Sequence, residues 1–450
     1  MNFVFIASFT LLTIVLWIIL DFTLGRRRHL LSVNHRETGI LHGHFDIYMH
    51  GKEFFEDYFR EIRNARHHVH VLFYIVKDDR FSQEFLGLLM DKAREGVEVR
   101  LLVDRLGSWR INRKDVKRLE ASGVQVAFSD RVQFPFVFYS SQVRNHRKVT
   151  VIDGKLGYLG GFNIGKEYID EKPKLSPWRD YHLKIMGEGV SFLQSEFFRD
   201  WRRARNNGLQ ESGKPYRHRR ADLTKGGKGS LRAMGGFFAH RNFLYEVGSE
   251  VSTLNDFPNV TERDYFPKLE KGDVRHQFVP TEAGLLEERF IMMVRKAREK
   301  IIIGTPYFIP SKRLFAELMS TLRNGVKITL LVPYTADHAL VQEASYRFLR
   351  QLLREGAQVY QYKNGFYHAK TLIIDDKICD IGTANFDKRS LYLNKEMNCY
   401  LYDPNFIARV KEVLNKDLLD SEPLQLATLT KFNPYRTIKE LIAGTLSYFL

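Results

Sequence analysis

Two histidine–lysine pairs, each with a trailing aspartate and asparagine, are the residues of this 450-residue chain best suited to chemistry. The first set is His146, Lys148, Asp153 and Asn163; the second is His368, Lys370, Asp375 and Asn385. In both, lysine follows histidine by two, aspartate follows lysine by five and asparagine follows histidine by seventeen. A phosphodiester carries a negative charge that repels nucleophiles, so a site that opens one needs fixed positive donors. Two lysines and two carboxamides supply such donors. Two imidazoles suit a double displacement, in which one attacks phosphorus and the other, protonated, donates to the departing alkoxide. No carboxylate cluster suggests bound calcium or magnesium, and neither metal nor cofactor is expected.

The elements that carry these residues follow from the apolar, β-branched runs Val149–Ile152 and Thr371–Ile374, which read as buried strands. Side chains alternate faces along a strand, so each histidine shares a face with its lysine. By the same parity Asp153 and Asp375, although part of the motif, point the other way and are expected to be supports. Upstream, amphipathic helices at 82–94 and 312–323 precede the strands Gly96–Asp104 and Gly325–Pro333. Glu61–Arg66 leads into a strand at Val69–Ile75, and Arg295–Arg298 leads into strands at Ile301–Ile303 and Tyr307–Ile309. The offset between copies falls from 232 residues (Arg63 to Arg295) to 222 (His146 to His368) while the order holds. The chain is therefore read as a duplicated α/β fold with one catalytic centre between two halves.

The doubled H-x-K-x4-D pattern resembles the phospholipase D superfamily. Within it, Trp178-Arg179-Asp180-Tyr181-His182 and Gly382-Thr383-Ala384-Asn385-Phe386-Asp387-Lys388-Arg389-Ser390, with Asn394-Lys395-Glu396, are similar to bacterial cardiolipin synthases over roughly residues 45 to 430. The resemblance implies an α-β-α sandwich whose halves are related by a pseudo-twofold axis and share one active site. It implies His146 as nucleophile, His368 as acid and base, and Asp180 and Glu396, 34 and 28 residues beyond the respective histidines, as orienting acids. Asn163, Asn385 and Ser390 are expected to bind or orient the phosphate, with Thr383 as a further donor. The implied reaction is transfer of a phosphatidyl group between two phosphatidylglycerol molecules, giving cardiolipin and glycerol. The same motifs also fit a phospholipase D-type hydrolase or another phosphatidyltransferase, and a non-catalytic membrane scaffold is the alternative of a different class.

The totals fit an enzyme at an anionic surface. Lys plus Arg number 69 against 53 Asp plus Glu, a formal +16, and 44% hydrophobic content in 450 residues supports two or three domains. Charge alone does not separate acidic lipid from nucleic acid, but residues 3 to 20 carry no charge and are just long enough to span a bilayer. Arg26-Arg27-Arg28 follows, which by the positive-inside rule puts the rest of the chain in the cytoplasm as a single-pass protein of a bacterial membrane. The expected partner is an anionic phospholipid membrane rather than nucleic acid. One span departs from the two with which bacterial cardiolipin synthases commonly begin. Cys379 and Cys399 match no metal spacing and suit a reducing compartment.

The expected layout is an anchor at 1–30, a first half at 40–207, a basic glycine-rich linker at 208–236, a second half at 237–430 and an amphipathic helix at 433–450. In the last, Ile438, Leu441, Ile442, Leu446 and Phe449 form one apolar stripe, which fits either docking on the catalytic halves or an interfacial membrane helix. Phe134–Tyr139, just ahead of the first motif, reads as core or as the lip of a site built for acyl chains.

Overall fold

Prolines and caps delimit the elements much as the sequence suggests. Asp79 accepts the Ser82 N–H (2.9 Å) to start the helix Arg80–Arg94, and Ser311 accepts the Leu314 N–H (3.0 Å) to start Lys312–Arg323. Strand Lys300–Gly304 stops short of Tyr307–Ile309, which the sequence had suggested was a further strand. Pro306 and Pro310 flank that segment and lack the N–H groups a ladder requires, so only Ile309 retains a bridge, to Asp387.

The computed structural model describes residues 2–33, 36–211 and 260–450. The first half supplies strands β1 Leu41–His50, β2 His68–Phe73, β3 Glu98–Asp104, β4 Gln125–Ser129, β5 Val149–Ile152, β6 Leu156–Gly160 and β7 Trp178–Gly187. The second supplies β8 Val274–Thr281, β9 Lys300–Gly304, β10 Lys327–Pro333, β11 Gln358–Tyr362, β12 Phe366–Tyr367, β13 Thr371–Ile374, β14 Ile378–Gly382, β15 Glu396–Leu401 and β16 Ser421–Pro423. All belong to one sheet. Its order on one side of the centre is β1-β7-β6-β5-β2-β3-β4, and on the other β8-β15-β14-β13-β9-β10-β11 with β16 at the edge. The two series are the same series, so a pseudo-twofold axis passes between β1 and β8. Those strands pair antiparallel through Leu41 with His276, His42 with Arg275 and Gly43 with Val274.

Helices cover both faces, as in the expected sandwich. On β2, Val69, Val71 and Phe73 pack with Phe55, Tyr58, Phe85 and Leu89 of the helices Gly51–Asn64 and Arg80–Arg94. His70 and Leu72 face the helix Gly189–Glu211, where the His70 ring stacks on Phe197 at 4.8 Å. Each fully buried Val, Leu or Phe in these layers contributes roughly 1.5–3 kcal/mol. Cys379 and Cys399 are both free and buried.

The N-terminal helix Asn2–Ser32 contains a run long and apolar enough to cross a membrane, with none of that run buried against the protein. Of the expected basic linker 208–236, residues 208–211 close the helix Gly189–Glu211 and residues 212–236 lie outside the described residues. The aromatic segment before the first motif is divided: Tyr139 is buried, whereas Phe134 is 89% exposed.

Candidate active site

Each motif histidine sits where a loop of one half crosses onto a strand of the other. Ahead of His146, the Asp104 carboxylate at the end of β3 accepts the Asn145 N–H (2.9 Å) and an Arg144 N–H (3.2 Å). The loop is then stitched to the lip of β15: Lys395 N–H donates to the Arg144 carbonyl (2.8 Å) and His146 N–H to the Lys395 carbonyl (3.0 Å). Arg147 fastens the same junction. Its Nε donates to the Glu396 carbonyl (3.1 Å), and its Nη1 to Asp200 (2.9 Å) and Glu196 (3.2 Å) on Gly189–Glu211. The mirror-image crossing uses β12, which pairs in parallel with β7 through Phe366 with Trp178 and Tyr367 with Arg179. His368 N–H then donates to the Arg179 carbonyl at 2.7 Å.

The consequence is a swap of acids between halves. His146 Nδ1 lies 2.9 Å from Glu396, and His368 Nδ1 lies 2.5 Å from Asp180. Both carboxylates are fully buried. Burial pushes each up, yet the opposing charges and hydrogen bonds outweigh it: His146 and Lys148 around Glu396, Lys370 and His368 around Asp180. Both acids end below the ordinary carboxylate value. An ionised carboxylate fixes the imidazole proton on Nδ1 and leaves Nε2 as the free lone pair. Lys370 Nζ also lies 2.6 Å from His368 Nδ1, but with that nitrogen's proton committed to Asp180 the ammonium donates to the His368 carbonyl instead. Burial lowers both imidazoles, His368 to about 4, so both rings are neutral at pH 7.

Both rings line one cavity of about 420 Å³, with Asn163 and Asn385 on its wall. Lys148 Nζ donates to the His146 carbonyl at 2.7 Å, as Lys370 does to that of His368. Burial pulls Lys148 down to about 7 and Lys370 to about 8, and an arriving phosphodiester anion draws both back toward the ammonium form.

Asp153 and Asp375 are not brought to this centre. Asp153 accepts the backbone N–H groups of Arg66, His67 and His68 at 2.7–2.9 Å, and Asp375 those of Arg298, Glu299 and Lys300 at 2.8–2.9 Å. Each ties the far end of its motif strand to the neighbouring helix–strand turn.

The family described as "Cardiolipin synthase, PLD-like domain" matches residues 58–173 and 290–418, segments that hold both histidine–lysine motifs. The chain belongs to this family. The minor cardiolipin synthase ClsB of Bacillus subtilis (strain 168) is 37% identical over 400 residues, covering 89% of this chain and 87% of that one. The major cardiolipin synthase ClsA of the same organism is 32% identical over 428 residues, covering 94% and 78%. A phosphatidylserine synthase of Haemophilus influenzae Rd KW20 has the same fold, with a TM-score of 0.65 at 16% identity over 95% of this chain and all of that one.

Within this cardiolipin synthase family member the two half-sites are not equivalent. Thr383 (2.6 Å), Ser390 (2.7 Å) and Asn394 (3.3 Å) all donate to Glu396, so the Ser390 and Thr383 hydroxyls, expected as donors near the second motif, steady its acid. Opposite Thr383 the first half has Gly161, where a Cβ would lie 2.0 Å from the Asp180 carboxylate. Asp180 is held by the Tyr181 N–H (2.8 Å) and by Lys370 Nζ at 3.6 Å. Asn163 is anchored by the Ile75 N–H (3.1 Å) and donates to Tyr168 (3.0 Å), while Asn385 N–H donates to Ser390 (3.1 Å).

Sequence reasoning passed over the aromatic walls. Tyr74 lies 4.9 Å from the His146 ring, and Trp178 and Tyr307 lie 4.9 and 6.3 Å from that of His368. Tyr74 and Tyr307 recur at an offset of 233, one more than that between Arg63 and Arg295, and that repetition was the available signal. Asp337, Arg389 and the C-terminal Phe449 and Leu450 also line the cavity, and no repeat marks them.

Proposed function

We propose that this chain makes cardiolipin by a two-step phosphatidyl transfer in which the crossed imidazole–carboxylate pairs act on one phosphorus. In the first step His146 Nε2 attacks the phosphorus of phosphatidylglycerol and the bond to the headgroup glycerol breaks. His368, neutral before substrate binds, takes up a proton as the phosphodiester anion enters and donates it from Nε2 to that leaving oxygen, giving glycerol and phosphatidyl-His146. In the second, neutral His368 takes the proton from a headgroup hydroxyl of another phosphatidylglycerol, whose oxygen attacks phosphorus as the bond to His146 breaks. Cardiolipin leaves and both rings return to their starting state. Lys148 and Lys370, with Asn163 and Asn385, stabilise the equatorial oxygens. Glu396 and Asp180 set the tautomers and stabilise the imidazolium that each ring becomes.

The observation that carries this reading is that the carboxylate at each histidine comes from the opposite half, so both rings border a single cavity. Membrane attachment through residues 3–20, with Arg26-Arg27-Arg28 holding the catalytic halves on the cytoplasmic side, supplies the substrate in two dimensions. The domain division at 1–30, 40–207, 208–236, 237–430 and 433–450 belongs to the same reading.

Purified protein in phosphatidylglycerol vesicles is expected to release glycerol and cardiolipin in equal amounts, and His146→Ala to abolish both while the fold persists. Phosphatidic acid as the sole lipid product would make the chain a hydrolase.

A further inference from the structure

The helix Pro434–Leu446 is not held to the protein by its apolar stripe. It packs on Val341–Arg354 through Ala443, which is fully buried, and through polar contacts. Arg350 Nη1 meets Glu440 at 3.0 Å, Lys439 meets Glu343 at 3.3 Å and Arg436 donates to the Leu429 carbonyl at 2.9 Å. Ile438, Leu441, Ile442 and Leu446 are left 59%, 72%, 45% and 44% exposed. The stripe therefore divides: Phe449 docks on the catalytic halves, whereas the four residues from Ile438 to Leu446 face away from them, because the helix docks by its other face.

The anchor indicates what lies there. Its Phe22 ring packs at 5.5 Å from Tyr448 and 5.9 Å from Phe449, three residues beyond Leu446, and at 5.3 Å from Tyr139. Asp21 bolts this junction by accepting the Phe138 and Tyr139 N–H groups at 3.2 and 2.7 Å. At about 1.5 Å per residue the uncharged run 3–20 covers roughly 27 Å, close to the hydrocarbon thickness of about 30 Å. With that run across a bilayer, Phe22, two residues further on, would fall at the edge of the hydrocarbon, together with Tyr448 and Phe449 packed on it. The exposed apolar face that ends at Leu446, three residues before Phe449, would then adjoin acyl chains. Phe449 and Leu450 also wall the active-site cavity, and Arg389 ties that wall by donating to the Phe449 carbonyl (3.1 Å) and the Gln142 carbonyl (3.1 Å).

We propose that the helix Pro434–Leu446 lies in the bilayer interface with Ile438, Leu441, Ile442 and Leu446 in the lipid, seating the mouth of the active-site cavity against the leaflet that holds its substrate. The partner is the lipid surface. This rests on the anchor reading and not on the transfer chemistry.

The test uses the full chain reconstituted in phosphatidylglycerol vesicles, with a nitroxide on Leu441→Cys and, as the aqueous reference, on exposed Glu120→Cys; both native cysteines are buried. The label at position 441 is expected to relax with lipid-dissolved oxygen and to be protected from a water-soluble nickel chelate, with the reverse at position 120. Equal accessibility at the two positions overturns the proposal, as does spin–spin broadening at 441, which would put a second copy of this chain on the face. In turnover, Ile438→Ser with Leu441→Ser is expected to lower rates on vesicle phosphatidylglycerol about ten-fold and to spare a monomeric short-chain substrate. Equal loss on both substrates, or none on either, overturns it. A wild-type chain that turns over neither lipid while the nitroxide at 441 is in the bilayer sinks the transfer chemistry and leaves the docking surface standing.

Discussion

Glu396→Gln tests the swap of acids between halves most directly. The substitution keeps the side chain's size but removes the charge that lies 2.9 Å from His146 Nδ1. On its Oε1 side the acid receives Ser390 and the Asn394 amide, and on its Oε2 side Thr383 and His146. A glutamine must turn its NH₂ to one side or the other. Facing Asn394 it opposes another NH₂ donor; facing His146 it donates to Nδ1 and drives the ring proton onto Nε2, which blocks attack on phosphorus. An imidazole held in the wrong tautomer loses roughly a thousand- to ten-thousand-fold in kcat, or about 4–5.5 kcal/mol of transition-state stabilisation. The discriminating assay compares phosphatidylglycerol with a phosphatidyl ester of p-nitrophenol, a leaving group that needs no proton. With His146 as nucleophile, Glu396→Gln stays impaired on both substrates in the first step. Asp180→Asn, which weakens His368 as acid, recovers most of its first-step rate on the nitrophenyl ester. The opposite pattern makes His368 the nucleophile. If Asp180→Asn behaves like His146→Ala while Glu396→Gln behaves like His368→Ala, each acid serves the histidine of its own half and the crossed geometry is wrong.

Three further outcomes follow from the same coordinates. Lys148 and Lys370, drawn by burial to about 7 and 8, lose their protons as pH rises, so kcat/KM on phosphatidylglycerol, already falling as His368 loses its proton, is expected to fall more steeply above about pH 7. His146, held by burial below the ordinary 6.5, keeps any acid limb below that value, and a profile flat to pH 9 contradicts the lysine assignment. Gly161→Ala puts a Cβ 2.0 Å from the Asp180 carboxylate and displaces the group that orients His368, so kcat should drop about a hundred-fold in a protein whose melting temperature changes little. Asp375→Ala removes an acceptor for three backbone N–H groups at a residue with φ of 50°. About 2–4 kcal/mol of stability should be lost in denaturant titration while the folded fraction turns over near the wild-type rate; lost turnover at unchanged stability would make Asp375 a reagent.

The legible parts of this molecule are those written in local patterns. Periodicity located β2, β3, β5, β9, β10 and β13 and their helices, and strand parity alone separated the supporting Asp153 and Asp375 from the lysines two residues after each histidine. The partner of each histidine was not legible. Separation along the chain suggests Asp180 for His146, but the pairing is decided by where Lys395 meets Arg144 and where β12 meets β7, contacts of more than 180 residues' separation that leave no periodic trace. Ser390 and Thr383 are legible as donors near the second motif, but their acceptor is not, because a hydroxyl near a phosphate site and a hydroxyl on a buried carboxylate look alike in sequence. Tyr307 was read as strand from its apolar company, and Pro306 and Pro310 override that company.

The crossed acids bear on how such a chain is made. Synthesis delivers the first half, with its long apolar N-terminal helix, before the second, with His146 and Lys148 already in hand. Glu396 and His368 arrive only after more than two hundred further residues. Until then the nascent product has an imidazole without its orienting carboxylate and no proton donor opposite. On the proposed chemistry such a half-built enzyme is inert until the strands that carry His368 and Glu396 join the sheet.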